Sequence, residues 1–326
     1  KTTLSSAVLS NMEATLKAGK ATKGSTNKVQ TKTNPKHKIK KYATTLTDSQ
    51  IDSIIQGANN EIIAKGLENS TDLNSILKSA LAGSQKVIAS AVSATASKID
   101  VVEMLGAAAQ ISLADQEQYI SGTKNDVVKT IASTLFDNLD EIGITSVELA
   151  EASKEIMHRL VSNLDETGFD KTGYGDYLKS MTEAAVASLD SITLSGYDAQ
   201  DLPEIARYLS AGAVAAVDDL DGVTTTDLGE LIKDITEGST LGLDDITMEG
   251  YDPTDVADIM KQISAGSVSA LNDIVLTGYS SSDYNSLISE ISEGATVGLA
   301  AIDSAEFDFN PESILSDVAE GASVGV

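Results

Sequence analysis

The chain has 326 residues, 41% apolar and 22% charged, enough for a packed core, but only 4% aromatics and no Trp, so Ile, Leu, Val and Ala must fill that core. There is no Cys, which excludes disulfides, thiolate metal sites and a Cys nucleophile. The net charge of −26 is uneven: residues 1–41 hold ten Lys and one Glu, the remainder 13 basic and 48 acidic groups, and so acidic a body repels nucleic acid and anionic lipid.

Residues 4–19 space Leu4, Val8, Leu9, Met12 and Leu16 as one face of a short amphipathic helix. Residues 17–41 follow with Lys, Thr, Asn and Gly and no apolar period, which predicts an extended basic arm ending in Lys36, Lys38, Lys40 and Lys41. The reading assigns 1–44 to helix plus arm and 45–326 to one acidic helical region.

That region opens on Thr47-Asp48-Ser49-Gln50, a capping-box spacing ahead of the stripe Ile51, Ile54, Ile55, Ala58, Ile62. A second helix starts at Ser70-Thr71-Asp72. Further helices are predicted near 98–113, 124–141, 146–164, 174–191, 199–219, 226–245, 253–273, 281–302 and 311–326. Asp252-Pro253 and Asn310-Pro311 place a cap and then a proline at helix starts. Near-identical linkers precede three of them: Gly196-Tyr197, Gly250-Tyr251 and Gly278-Tyr279. Glycine permits the positive φ that ends a helix, and the following ring can cover the turn. Tyr197, Tyr251 and Tyr279 also suit a partner surface if their rings face water.

Within the helices a small-residue word recurs at Gly57, Gly83, Gly106, Gly212, Gly238, Gly266, Gly294 and Gly321, every 23–28 residues over much of the chain. A helical glycine costs about 1 kcal/mol against alanine, so something must offset it repeatedly. Close approach of a neighbouring backbone is the simplest offset, and Gly238/Gly242, Gly294/Gly298 and Gly321/Gly325 lie four apart on one helix face. The period predicts an all-α fold: ten to eleven helical repeats in an up-down, solenoid-like stack. Whether each repeat holds one helix or two broken at the glycine stays open.

Chemistry is sparse. His37 and His158 are isolated, and no phosphate loop, nucleophile elbow or HExxH occurs. Asp218-Asp219-Leu220-Asp221-Gly222 and the loop Asp165–Asp176 are acidic, but neither has the ligand spacing of a calcium loop. No catalytic, cofactor or metal site is predicted, and no stretch is apolar enough to span a bilayer. The start at Lys1 and the lack of Cys predict export to the periplasm, cell surface or medium. The last word, Gly321 to Val326, stops before any polar cap. The expectation is a non-enzymatic structural protein that assembles with itself head-to-tail through this end and the basic arm. A monomeric protein- or ligand-binding module is the alternative.

Overall fold

The computed structural model describes residues 3–21, 46–251, 253–274, 280–302 and 311–325. It is all-α: twelve helices pack in neighbouring pairs, and no strand occurs among the described residues. The helices are α1 (Leu4–Ala21), α2 (Asp48–Ala64), α3 (Leu73–Ala91), α4 (Thr95–Gln116), α5 (Lys124–Asp137) and α6 (Ser146–Ser162). They continue as α7 (Tyr174–Ala187), α8 (Leu202–Ala216), α9 (Thr225–Leu241), α10 (Pro253–Ala270), α11 (Ser281–Ala301) and α12 (Pro311–Val324). Each predicted segment matches one of these helices to within a few residues at either end, and no helix is broken at the glycine of its repeat; α1 runs on to Ala21, so the start of the stretch read as an extended arm, from Lys17, is helical instead. The chain clusters into two compact units, residues 1–144 with 163–169, and 145–162 with 170–326.

Local chemistry explains most helix starts. Thr47 and Gln50, Thr123 and Asp126, Thr224 and Asp227, and Ser280 and Asp283 each form a reciprocal capping box. Two orphan N–H groups at the helix start are satisfied in each. The caps foreseen at Asp252 and Asn310 lie outside the described residues. At the linkers, Gly168, Gly196 and Gly250 take positive φ, the left-handed conformation that a Cβ disfavours.

In the first unit α4 is buried nearly all round, from Val101 through Gln110, which is why its sequence shows little amphipathic period. Against it pack α1, through its buried stripe Val8, Met12 and Leu16, and also α3 and α5. The basic stretch after α1 is thus joined at both ends to packed helices, because α1 also touches α2. The closest pair is α2 with α3, consecutive in sequence. Gly57 faces the Gly83 carbonyl and Gly83 faces the Gly57 carbonyl, while Gly57 also meets Val87 and Gly83 meets Glu61. That reversed correspondence makes the pair antiparallel.

The second unit is built differently. Its principal contacts are between next-but-one helices: α6 with α8, α8 with α10, α10 with α12, and α7 with α9, α9 with α11. Gly238 and Gly242 of α9 meet Lys179 and Glu183 of α7, and Gly321 and Gly325 of α12 meet Lys261 and Ala265 of α10. The correspondence advances in step, so these partners run parallel. An up-down stack of successive helices therefore does not describe the closest packing here. Between α9 and α10 the chain spends residues 242–252, including a 3-10 turn over Gly242–Asp245.

Candidate functional site

The one recurring, specific contact in the second unit has two sides. On one helix stands a glycine. On the helix two earlier stands the backbone carbonyl of a basic residue: Lys154 under Gly212, Lys179 under Gly238, Arg207 under Gly266, Lys233 under Gly294 and Lys261 under Gly321. A methyl at any of these glycines would overlap that carbonyl oxygen. The contact offsets the helix-propensity cost of glycine by letting the two backbones touch. Gly242, Gly298 and Gly325 extend it one turn on, against Glu183, Glu237 and Ala265 carbonyls and the side chains of Val186, Thr240 and Val268. These eight glycines, Gly212, Gly238, Gly242, Gly266, Gly294, Gly298, Gly321 and Gly325, thus each face the helix two earlier; Gly321 and Gly325 are covered by α10.

Ion pairs accompany three of these crossings. The Lys179 ammonium bonds Glu237, Lys233 bonds Glu293, and Lys261 bonds Glu320 at 2.7 Å. The cation stands five residues before its own helix's small residue or glycine, and the carboxylate one residue before the next glycine. Sequence reasoning passed over this offset, although Lys154, Lys179, Arg207, Lys233 and Lys261 recur as regularly as the glycines. The signal was hidden because long, charged side chains read as solvent-facing.

Of the three linker tyrosines, Tyr197 and Tyr251 are described, and both are half-buried. Tyr197 is half-buried, and its hydroxyl donates to the Leu189 carbonyl at 2.9 Å, closing the preceding turn. Burial and then the nearby Asp201 and Asp190 raise its pKa. Tyr251 is similarly half-buried, with its pKa raised first by burial. Tyr279 lies outside the described residues, as do Lys36, Lys38, Lys40 and Lys41. Of the acidic loops, the turn at Asp221-Gly222 is held by Lys171, whose ammonium donates to the Asp221 carbonyl at 2.5 Å. His158 Nε2 lies 3.7 Å from Asp219 Oδ2.

A cleft of about 470 Å³ opens beside this turn, lined by Lys171, Tyr174, Asp176, Asp227, Glu230 and Asp234. Asp234 of α9 rests against Gly175 at the start of α7, where no side chain intervenes. Burial, followed by Glu237 and Glu230, pushes its carboxyl up to about 6, with Lys179 opposing. Asp227 on the same wall is held below the ordinary carboxylate value by the Thr224 hydroxyl and backbone N–H.

A second surface stands out by exposure. In α7 to α10 the residue two past the glycine position, Val186, Val214, Thr240 and Val268, is fully buried by the helix two later. The equivalents in α11 and α12, Thr296 and Ser323, are exposed. Val297, Leu315 and Val324 are exposed beside them, three of the five large apolar side chains so placed among the described residues.

The chain matches no protein-family profile and no curated protein sequence.

Proposed function

We propose that the chain is a non-enzymatic structural protein, exported or held at the cell surface, whose helices form a solenoid-like repeat array that assembles with itself head-to-tail. The observation that carries this reading is the exposed face of α11 and α12. Four earlier helices bury the same face under a neighbour, and Thr296, Val297, Ser323 and Val324 leave it open. Val297, Leu315 and Val324 are exposed apolar side chains there, the kind of surface that contact with a second molecule covers. Polarised charge, basic over residues 1–41 and acidic beyond, favours the same head-to-tail arrangement.

Sedimentation equilibrium over a hundredfold range of concentration tests it. Mass that climbs with concentration, with rods or filaments under negative stain, is the expected result. A monomer throughout would remove the assembly reading. The cleft at Asp234 favours the second reading, a monomeric binding module, and in that case a ligand of the cleft would raise the melting temperature of a monomeric chain.

A further inference from the structure

The first unit holds a cleft of about 540 Å³, formed where α2, α3 and α5 meet. Its floor is one stripe of α3: Ser75, Lys78, Ser79 and Ala82 recur at the spacing of a single helix face. Ile76, Leu77, Ala80 and Leu81 of the same turns are fully buried in the packing of the unit. The core thus takes the apolar side of α3 and leaves this polar stripe to the cleft.

What the lining groups have left to offer decides the ligand. The Ser75 hydroxyl donates to Asp72 at 2.7 Å, the Thr134 hydroxyl to the Thr130 carbonyl at 2.6 Å, and the Asn138 amide to the Thr134 carbonyl at 2.7 Å. Ser79 differs. It is only 8% exposed and opens onto the cleft, yet its hydroxyl has no hydrogen-bond partner among the described residues. A donor so deeply placed is costly to leave unmet. Lys78, its neighbour at the rim, also has no partner among the described residues. Lys65 reaches Glu61 only at 4.0 Å, and Glu61 is already held by Lys86 at 2.9 Å. The spare capacity is therefore a hydroxyl donor and ammonium groups, which call for an anionic acceptor. Three cations, Lys65, Lys78 and Lys86, stand with two carboxylates, Glu61 and Asp137, so one positive charge is in surplus. A monoanion balances that surplus, whereas a phosphate dianion overshoots it beside Asp137. Among the described residues no aromatic ring lines the cleft, so a sugar or a nucleobase finds nothing to stack on. Leu67 and Ala82 offer aliphatic surface instead. We infer that this cleft binds a short-chain aliphatic monocarboxylate, its head on Lys78 and the Ser79 hydroxyl and its chain against Leu67 and Ala82. The inference uses the first unit alone and holds for a monomer and an assembled chain alike.

Amide NMR of the isotope-labelled full chain, titrated with acetate, butyrate and hexanoate, tests this. Saturable shifts are expected at the amides of residues 75–82 and 134–138. Affinity should rise roughly tenfold from acetate to hexanoate as the chain leaves water. Hexanamide, similar in shape but uncharged, should bind roughly tenfold more weakly than hexanoate. Ser79→Ala and Lys78→Met should each weaken hexanoate roughly tenfold, with the melting temperature of the free protein close to wild type. Lys233→Met, in the second unit, should leave hexanoate binding as it is. The absence of any saturable shift at these amides with hexanoate up to about 50 mM would overturn the inference. So would hexanamide or inorganic phosphate binding there as tightly as hexanoate, since charge and chain would then not select together. Hexanoate binding that neither Ser79→Ala nor Lys78→Met weakens would overturn it as well.

Discussion

The two units use the same small-residue word for opposite topologies. In the first, Gly57 and Gly83 face each other across consecutive antiparallel helices, each beneath the other's carbonyl. In the second, a glycine faces a basic residue's carbonyl across parallel helices two apart. The contrast shows what a helical glycine specifies. It fixes how closely two backbones approach, since a missing Cβ admits a carbonyl. Which helix approaches is not set by the glycine, nor by linker length alone. Residues 65–72 join α2 to its closest partner α3, while the equally long 217–224 joins α8 to α9, which pack chiefly on other helices. Lys–Glu pairs occur at both kinds of crossing: Lys86 of α3 donates to Glu61 of α2 at 2.9 Å, whereas at the parallel crossings a fixed register brings position g−5 of one helix to position g−1 of the other, counting from the glycine.

The strongest way to break the comparison is to fill the glycines. Gly57→Ala, Gly83→Ala, Gly238→Ala and Gly294→Ala are each expected to cost about 1–3 kcal/mol, because the obstructing atom is backbone and cannot swing aside. The units should part company in the doubles. Gly57 and Gly83 share one crossing, so their double variant should fall short of or exceed the sum by about 1 kcal/mol or more. Gly238 and Gly294 sit at separate crossings, α7 with α9 and α9 with α11, and should add. Urea unfolding of the four singles and two doubles measures this, and additivity in both units would refute the shared crossing of α2 and α3.

A smaller effect is expected at Asp234, confined to the second unit. Its folded pKa of about 6 lies above the ordinary 3.8, so the native protein holds a proton that the unfolded chain releases. Stability should therefore rise as pH falls from about 6 to about 4, and the ionised form should cost stability above that window. Asp234→Asn should gain about 1–2 kcal/mol at pH 7 after allowing for solvent screening, and should flatten the profile between pH 4 and 6. A wild-type and variant profile that run parallel across that window would refute the assignment.

Lysine provides the finest contrast. Lys98 in the first unit is buried, and its ammonium donates to the Gly143 carbonyl at 2.9 Å. Lys233 in the second unit is partly exposed and pairs with an exposed Glu293. Lys98→Met should cost about 1–3 kcal/mol, for a part-buried hydrogen bond from a charged donor is lost. Lys233→Met should cost under about 1 kcal/mol, as surface pairs do. Thermal melts rank the two, and an equal loss would mean that the ion pair stabilises its crossing far more than exposure allows.

Much of this was legible before any coordinates. Thr47-Asp48-Ser49-Gln50 and Ser280-Ser281-Ser282-Asp283 announced helix starts because a cap bonds residues three apart, a purely local event. The positive φ of Gly196 and Gly250 was readable for the same reason. Asp234 was not: its pKa is raised first by burial, which comes only when the start of α7 packs on α9, and then by Glu237 and Glu230 of its own helix.

The sequence by itself determined that the chain is helical, roughly where each helix lies, and that a helix with an internal glycine must touch a neighbour closely there. These follow from periodicity, capping and the cost of a missing side chain, all of which act within one helix. Only the tertiary structure decided which neighbour that is. A glycine face is equally complementary to a helix before it, after it or two away, and the choice depends on contacts that form only after folding. It also decided which face is left over. Gly321 and Gly325 turn back onto α10, and the opposite side of α11 and α12, acidic and without a cation, is the one that meets solvent.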